Sequence, residues 1–432
     1  MGLRIMNVSN VSPERIQRVY LTLMAFNTLA ASFIWGINTL FLLDAGLTNT
    51  EAFGANAFFA AGLVVFEIPT GVVADTRGRR ASYLLGTVTL LISTLLYLWL
   101  WEVSAPFWAW AVSSALLGLG FTFFSGAVDA WLVDALNSSG FTGDLDSVFA
   151  KGEIVEGVAM LGGSVTGGIL AQATNLGAPY VARVLVLGLT FLVALRWMHD
   201  LGFVRRRSEH PVQDVKNILR SSVRHGLGNP PVRWLMLAAP FTDGVIFYGF
   251  YAMQPYLLEL YGDTEAYAIA GLAAAIFAGA QIAGGLLVPY IRRAVRRRTS
   301  ILLAGVVLSS LILLAIGVLE SFWIVLLLLI LWGLMFAAIT PVRKAYLNGL
   351  IPSEQRATVL SFDSLLGSVG GVGVQPALGR AADLWGYPAS YAFGAVIQAL
   401  AIPFVVLTRR ERAAADEISP APVASSGKSL EP

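Results

Sequence analysis

The 432-residue chain has no cysteine and only three histidines. Disulfides and thiol chemistry are therefore excluded, and zinc would depend on His199, His210, His225 and carboxylates, which lack metal-like spacing. Charge is also scarce. Asp, Glu, Lys and Arg make up 13% of the residues, against roughly 25% in a soluble domain. The net charge of +2 is too small to suggest a nucleic-acid partner. No nucleotide-binding Gly-Lys loop occurs, so ATP drive within this chain has no support.

What the chain has is long apolar runs, with 56% hydrophobic residues overall. A helix needs about 20 apolar residues to cross a bilayer, and every backbone amide inside must be bonded internally. The runs predict an all-α membrane protein with twelve spans: 19–43, 54–76, 81–101, 106–136, 148–173, 180–198, 234–259, 267–290, 299–318, 322–347, 358–382 and 388–408. The first run is too long for a signal-peptide core of about 7–15 residues and reads as an uncleaved span. The expected organisation is an N-terminal segment 1–18, a six-helix bundle 19–198, a linker 199–233, a second six-helix bundle 234–408 and a disordered tail 409–432. Part of the linker, near 212–224, reads either as a short amphipathic helix on anionic headgroups or as a plain connector.

Basic residues sort to one face. Arg77, Arg79 and Arg80, the linker arginines, Arg292 to Arg298, and Arg343, Lys344 and Arg356 all fall on the side of the termini. The opposite loops carry Asp44, Glu51, Glu102, Glu259, Asp263, Glu265 and Glu320 and no basic residue. Of 29 Lys and Arg, only Arg183 and Arg380 lie in the other half of the membrane. The first reads as snorkelling to the interface, the second as pairing with Asp383. The positive-inside rule puts both termini in the cytoplasm, in a multi-pass protein of the cytoplasmic membrane.

The two halves repeat. Leu42-Leu43-Asp44 answers to Leu257-Leu258-Glu259, Leu136-Asn137 to Leu347-Asn348, and Gly177-Ala178-Pro179 to Gly386-Tyr387-Pro388, at offsets of 215, 211 and 209 residues. A parallel repeat of this kind implies a substrate cavity between the halves near the midplane.

Span 2 ends in Gly71-Val72-Val73-Ala74-Asp75-Thr76-Arg77-Gly78-Arg79-Arg80. This resembles the signature loop of the major facilitator superfamily, Gly-x-x-x-Asp-x-x-Gly-Arg-Lys/Arg, at full spacing. The resemblance implies that fold, two pseudo-repeated six-helix bundles moving by alternating access. It also implies a conformational latch of Gly71, Asp75, Arg77, Gly78, Arg79 and Arg80, with Asp134 as the arginine partner. The second copy, Gly285 to Arg293, keeps the Gly and the Arg pair but has Pro289 for the Asp. Span 5 carries Gly162-Gly163-Ser164-Val165-Thr166-Gly167-Gly168, similar to the antiporter motif of drug/proton exchangers but with Ser164 where that motif has Pro. Close packing by Gly163, Ser164, Gly167 and Gly168 accounts for it better. Ser125 to Trp131 resembles a large bacterial efflux branch of the superfamily, yet span 4 lacks the buried arginine common in drug/proton antiporters.

Ionisable residues at bilayer depth are functional candidates. Glu67 lies near the middle of span 2 and Asp243 near the middle of span 7, with Asp129 about two turns inside span 4. Each either carries a coupling proton or makes a structural hydrogen bond. Cavity positions implied by the resemblance are Asn27, Trp35, Asn38, Tyr248, Tyr251, Gln254, Trp332, Met335 and Phe336. Aromatics and Met with sparse amides suit an amphipathic or cationic small molecule. The expectation is a non-enzymatic, monomeric, proton-coupled efflux transporter of such molecules. It needs no cofactor and no metal, takes its energy from the proton gradient, and has substrate, protons and lipid as its partners. A nutrient or metabolite importer is the alternative, and a non-transporting membrane sensor a more distant one.

Overall fold

The computed structural model describes residues 11–203, 216, 220, 223–351 and 356–418. The expectations for 1–10, for linker residues 204–215, 217–219 and 221–222, and for 419–432 lie outside these. The described chain is helical: α1 (Pro13–Trp35), α2 (Asn38–Asp44), α3 (Asn49–Arg77), α4 (Arg79–Glu102), α5 (Phe107–Thr122), α6 (Ala127–Ser138), α7 (Leu145–Ala173), α8 (Ala178–Trp197), α9 (Pro230–Tyr261), α10 (Tyr267–Ala294), α11 (Arg298–Ile316), α12 (Phe322–Asn348), α13 (Arg356–Ala399) and α14 (Ala401–Arg410).

Among the described residues, ten helical segments are long and apolar enough to cross a membrane, and a bent pair makes an eleventh. One of the ten, the 52-residue stretch Val359–Arg410, is interrupted at Gly386, where φ is 80°. At 1.5 Å per residue it is long enough for two crossings, which gives the twelve spans read from the sequence.

Two spans differ from uninterrupted helices. Span 1 bends by 48° between α1 and α2. Span 4 breaks between Thr122 and Ala127, where Gly126 takes the left-handed φ of 64° that a side chain would disfavour. Carbonyls freed at the break must find partners inside the protein. The hydroxyl of Ser82 donates to the Phe123 carbonyl at 2.8 Å, and that of Thr70 to Thr122 at 3.2 Å. The break exposes Ser125 and turns it toward span 2.

The halves meet along two glycine seams. A Cβ on Gly167 of span 5 would sit 2.0 Å from the Phe33 carbonyl oxygen of span 1, and one on Gly168 would sit 2.9 Å from Gly271 of span 8. Gly163 abuts Ser32, and the Ser164 carbonyl abuts Gly271. These four residues therefore pack span 5 between span 1 and the opposite half. Across the other seam, span 2 meets span 11: Phe53 enters the core of the second half, and Gly379 lies against Asn49 and Phe53. These seam contacts reach only to Ala60 on span 2 and Gly157 on span 5. From Leu63 onward only Thr70 and Ala74 of α3 are buried. The halves close on the acidic-loop face and part toward the basic face.

The tail departs from its expected disorder. Residues 409–418 are ordered, because Asp416 accepts from the Thr299 amide at 2.8 Å and its hydroxyl at 3.0 Å, capping span 9.

The packing of span 5 on span 1 gives a direct test. Gly167→Leu forces a side chain into the Phe33 backbone and is expected to destabilise by about 1–3 kcal/mol. Gly162→Ala meets open space and serves as the silent control. Thermal unfolding of the purified protein checks both.

Candidate functional site

The wall of the opening on the first half is acidic. Glu67 accepts a 2.5 Å hydrogen bond from the Ser125 hydroxyl at the break in span 4. The Tyr20 hydroxyl donates to Asp129 at 3.2 Å, and the Thr28 hydroxyl to Glu156 at 3.4 Å. No cation pairs with any of these carboxylates among the described residues. Glu156 lies about three turns into α7. Its place beside span 1 becomes visible only once spans 1, 4 and 5 are packed together.

The second half is arranged differently. Asp243 is half-buried, accepts from Thr242 at 3.1 Å and presses against Gly367, where a Cβ would lie 2.2 Å from its Oδ2. Nearby, Arg343 of span 10 grips Asp363 of span 11 through both guanidinium nitrogens, at 2.5 and 2.6 Å. This bidentate pair was missed in the sequence. Arg343 counted only toward topology there. The twenty-residue separation gives no local signal.

Of the nine expected cavity residues, three line a small cavity of about 30 Å3 where the halves meet: Trp35, Asn38 and Tyr251. Gln254 instead bridges the halves, accepting from the Thr39 amide at 2.9 Å and donating to the Trp35 carbonyl at 2.6 Å. Tyr248 and Trp332 are corrections. Each is 1% exposed and belongs to the core of the second half. Tyr248 hydrogen-bonds Ser390, and Trp332 packs on Gly249 and Phe277. Asn27, Met335 and Phe336 are half-buried and do not line this cavity.

Arg183 is the larger correction. It does not snorkel but is 1% exposed and lines the same cavity. Its Nε donates to Thr94 at 3.1 Å and its Nη1 to the Ala30 carbonyl at 3.2 Å. Its position one turn inside span 6 suggested an interface in the sequence. The polar groups that hold it lie on spans 1 and 3.

The signature loop folds back on its own half. Gly78 has φ 109°, and a Cβ there would strike the Asp200 carboxylate. Asp200 accepts from the Arg80 amide at 2.8 Å, and the Arg80 guanidinium donates to the Leu195 carbonyl at 2.5 Å. Asp75 pairs with Arg79 at 2.7 Å, one turn away. Asp134 makes no ion pair among the described residues. Asp200, at the end of span 6, holds the place assigned to it. A Cβ on Gly71 meets nothing within 4 Å, and Gly71 and Arg77 are exposed. The hydrogen bonds and ion pair that the loop makes among the described residues stay within its own half.

On the acidic face, Asp383 closes the mouth at the turn beyond span 11. Rather than pairing with Arg380, it accepts from the Asn49 and Thr50 amides at 2.9 and 2.8 Å and from the Thr50 hydroxyl at 2.5 Å. It thus caps span 2 from the other half, a favourable place for a carboxylate. Burial pushes its carboxyl up, but these hydrogen bonds outweigh it and hold it below the usual carboxylate range. The closure is therefore complete above that range and lost as pH falls through the depressed value. Spin labels on Glu102→Cys and Glu320→Cys, both exposed on this face, report it. Asp383→Asn is expected to lengthen the inter-label distance at neutral pH and to abolish its lengthening in acid.

The geometry matches known proteins in fold. A search among curated proteins found no match. A point mutant of the nucleoside transporter NupG superposes with a TM-score of 0.73 at 11% identity, covering 91% of this chain and 99% of its own. A bacterial homologue of the human lysosomal transporter Spinster, inward-facing and unoccupied, gives 0.71 at 15% identity, covering 95% and 99%. A D-xylose–proton symporter gives 0.66 at 15%, covering 90% and 95%. The sequence profile of the Major Facilitator Superfamily matches residues 20–297 and 266–430. With that match spanning nearly the whole chain, the protein belongs to the major facilitator superfamily of membrane transporters.

Proposed function

We propose that the chain exports small amphipathic molecules across the cytoplasmic membrane by proton-coupled alternating access, its termini and basic loops in the cytoplasm. The observation that carries this reading is Glu67. It is a carboxylate midway along span 2 with a hydroxyl partner and no cation, on the wall of the opening between the halves. The proton affinity of a carboxyl changes with the water and charges around it. Rocking the halves changes both, so proton uptake and release become tied to which face is open. Asp243, close to the Arg343–Asp363 pair, is the second candidate. Asp129 shares the acidic wall and binds Tyr20. When the basic face closes, the signature loop comes to the second half and acts as the latch.

The aromatic lining of the cavity supports amphipathic solutes. Its one charged residue is Arg183, so the cationic substrates expected from the sequence lose their support there. The same residue favours import of an acidic metabolite as the second reading. Inverted membrane vesicles with an imposed proton gradient separate the two, because export predicts accumulation inside them.

Proteoliposomes with an entrapped pH dye test the coupling. Small aromatic acids, amines and alcohols are added as probes. An active probe is expected to drive proton movement in the native protein and none in Glu67→Gln, with Asp243→Asn reduced. Unchanged proton movement in both variants would overturn the proposal.

A further inference from the structure

Arg183 has no carboxylate within ion-pair reach among the described residues. Its Nη2 is buried and has no hydrogen-bond partner. A buried guanidinium left without a counter-charge is costly, and an unmet buried donor adds to that cost. Another unmet donor lines the same cavity. Asn56 of span 2, 4% exposed, accepts from Asn38 Nδ2 at 2.9 Å, while its own Nδ2 has no partner. The Tyr180 hydroxyl donates to Asn38 Oδ1 at 3.0 Å, which sets the direction of the Tyr180–Asn38–Asn56 chain and leaves the Asn56 amide as a donor. Two donors from spans 2 and 6 thus line one cavity, and no acceptor among the described residues answers them.

The rest of the wall is aromatic. Trp35, Phe59, Tyr97, Phe121 and Tyr251 surround the donors, with Tyr251 contributed by the second half. The space of about 30 Å3 holds a group of about three heavy atoms, the size of a carboxylate rather than of a whole solute. The Arg183 guanidinium also lies 5.9 Å from the Phe121 ring centre, so the face that it shows to the cavity is bordered by an aromatic plane.

We infer that Arg183 and Asn56 form an oxyanion subsite, and that the transported molecules are small aromatic or amphipathic carboxylates. Arg183 Nη2 donates to one carboxylate oxygen and Asn56 Nδ2 to the other, and the halves, which meet at Tyr251, part to admit the apolar remainder between the aromatic side chains. Binding the anion satisfies both donors and neutralises the buried charge, a gain that an amine or a neutral isostere does not provide. Because Tyr251 comes from the opposite half, occupancy also bears on how the halves meet. The inference rests on the transporter reading in taking this cavity as the substrate site.

The test is calorimetric titration of the purified protein in nanodiscs with benzoate, benzyl alcohol, benzylammonium and sodium sulfate, without a proton gradient. Benzoate is expected to bind more tightly than the other three. Arg183→Gln should weaken it about tenfold to a hundredfold, and Asn56→Ala by a smaller factor. Arg183 also ties Thr94 and Ala30, so Arg183→Lys and Asn56→Ala serve if Arg183→Gln does not fold. Tighter binding of benzylammonium or benzyl alcohol, unchanged benzoate binding in the variants, or no benzoate binding at all would overturn the inference. Sulfate binding as tight as benzoate would also overturn it, since the site would then take free inorganic anions. Binding is read without proton flux, so this inference can fail while probe-driven proton movement persists, and the proton coupling can fail while benzoate still binds.

Discussion

Close approach of backbones at glycine is the contact on which the rest depends. Lipid tails are as apolar as leucine, so the halves are not driven together by the hydrophobic effect within the bilayer. They adhere where Gly168 meets Gly271 and where Gly379 receives Phe53 and the Asn49 carbonyl. Dispersion over such short distances is lost steeply with separation. A seam of this type is therefore either shut or open, with little between. The polar clasps at Gln254 and Asp383 lie along these seams and give them direction and register.

Two arginines show how charge is used inside. Arg343 has a bidentate carboxylate, and together they form a fixed post within the second half. Arg183 has hydroxyl and carbonyl acceptors but no anion. The first arrangement satisfies its own charge and is suited to structure. The second leaves a charge to be met by something that comes and goes. Glu67 is the complementary case, an acid whose one hydrogen-bond partner is a hydroxyl, so that gaining or losing a proton disrupts no ion pair.

Much of the fold was legible because bilayer thickness writes itself into run length. The loop spanning residues 71–80 carried the family, since a glycine with positive φ, an acid and paired arginines occur at fixed spacing there. What escaped notice was long-range. Asp200 and Asp134 are equally plausible partners on paper, and only the fold back of span 6 favours Asp200. The break at Gly126 hid within an apolar stretch that reads as continuous helix. Tyr248 and Trp332 were assigned to the cavity by the family resemblance, but aromatic residues fill cores as well as line sites, and a position carried over from a family does not say which. Arg183 misled for a similar reason: depth along a helix is countable, whereas the direction of a long side chain depends on its neighbours.

The ordered end of the chain has a mechanical meaning. Asp416 caps span 9, and the segment that carries it continues from span 12, so the last crossing is strapped across its own bundle. In the other bundle, Asp200 ties the turn after span 2 to the end of span 6. Each half is thus belted at its basic end by a residue from its own last crossing. On the proposed alternating-access cycle, these ties carry torque between the last crossing and an earlier one of the same bundle, and the bundles turn about the glycine seams that join them.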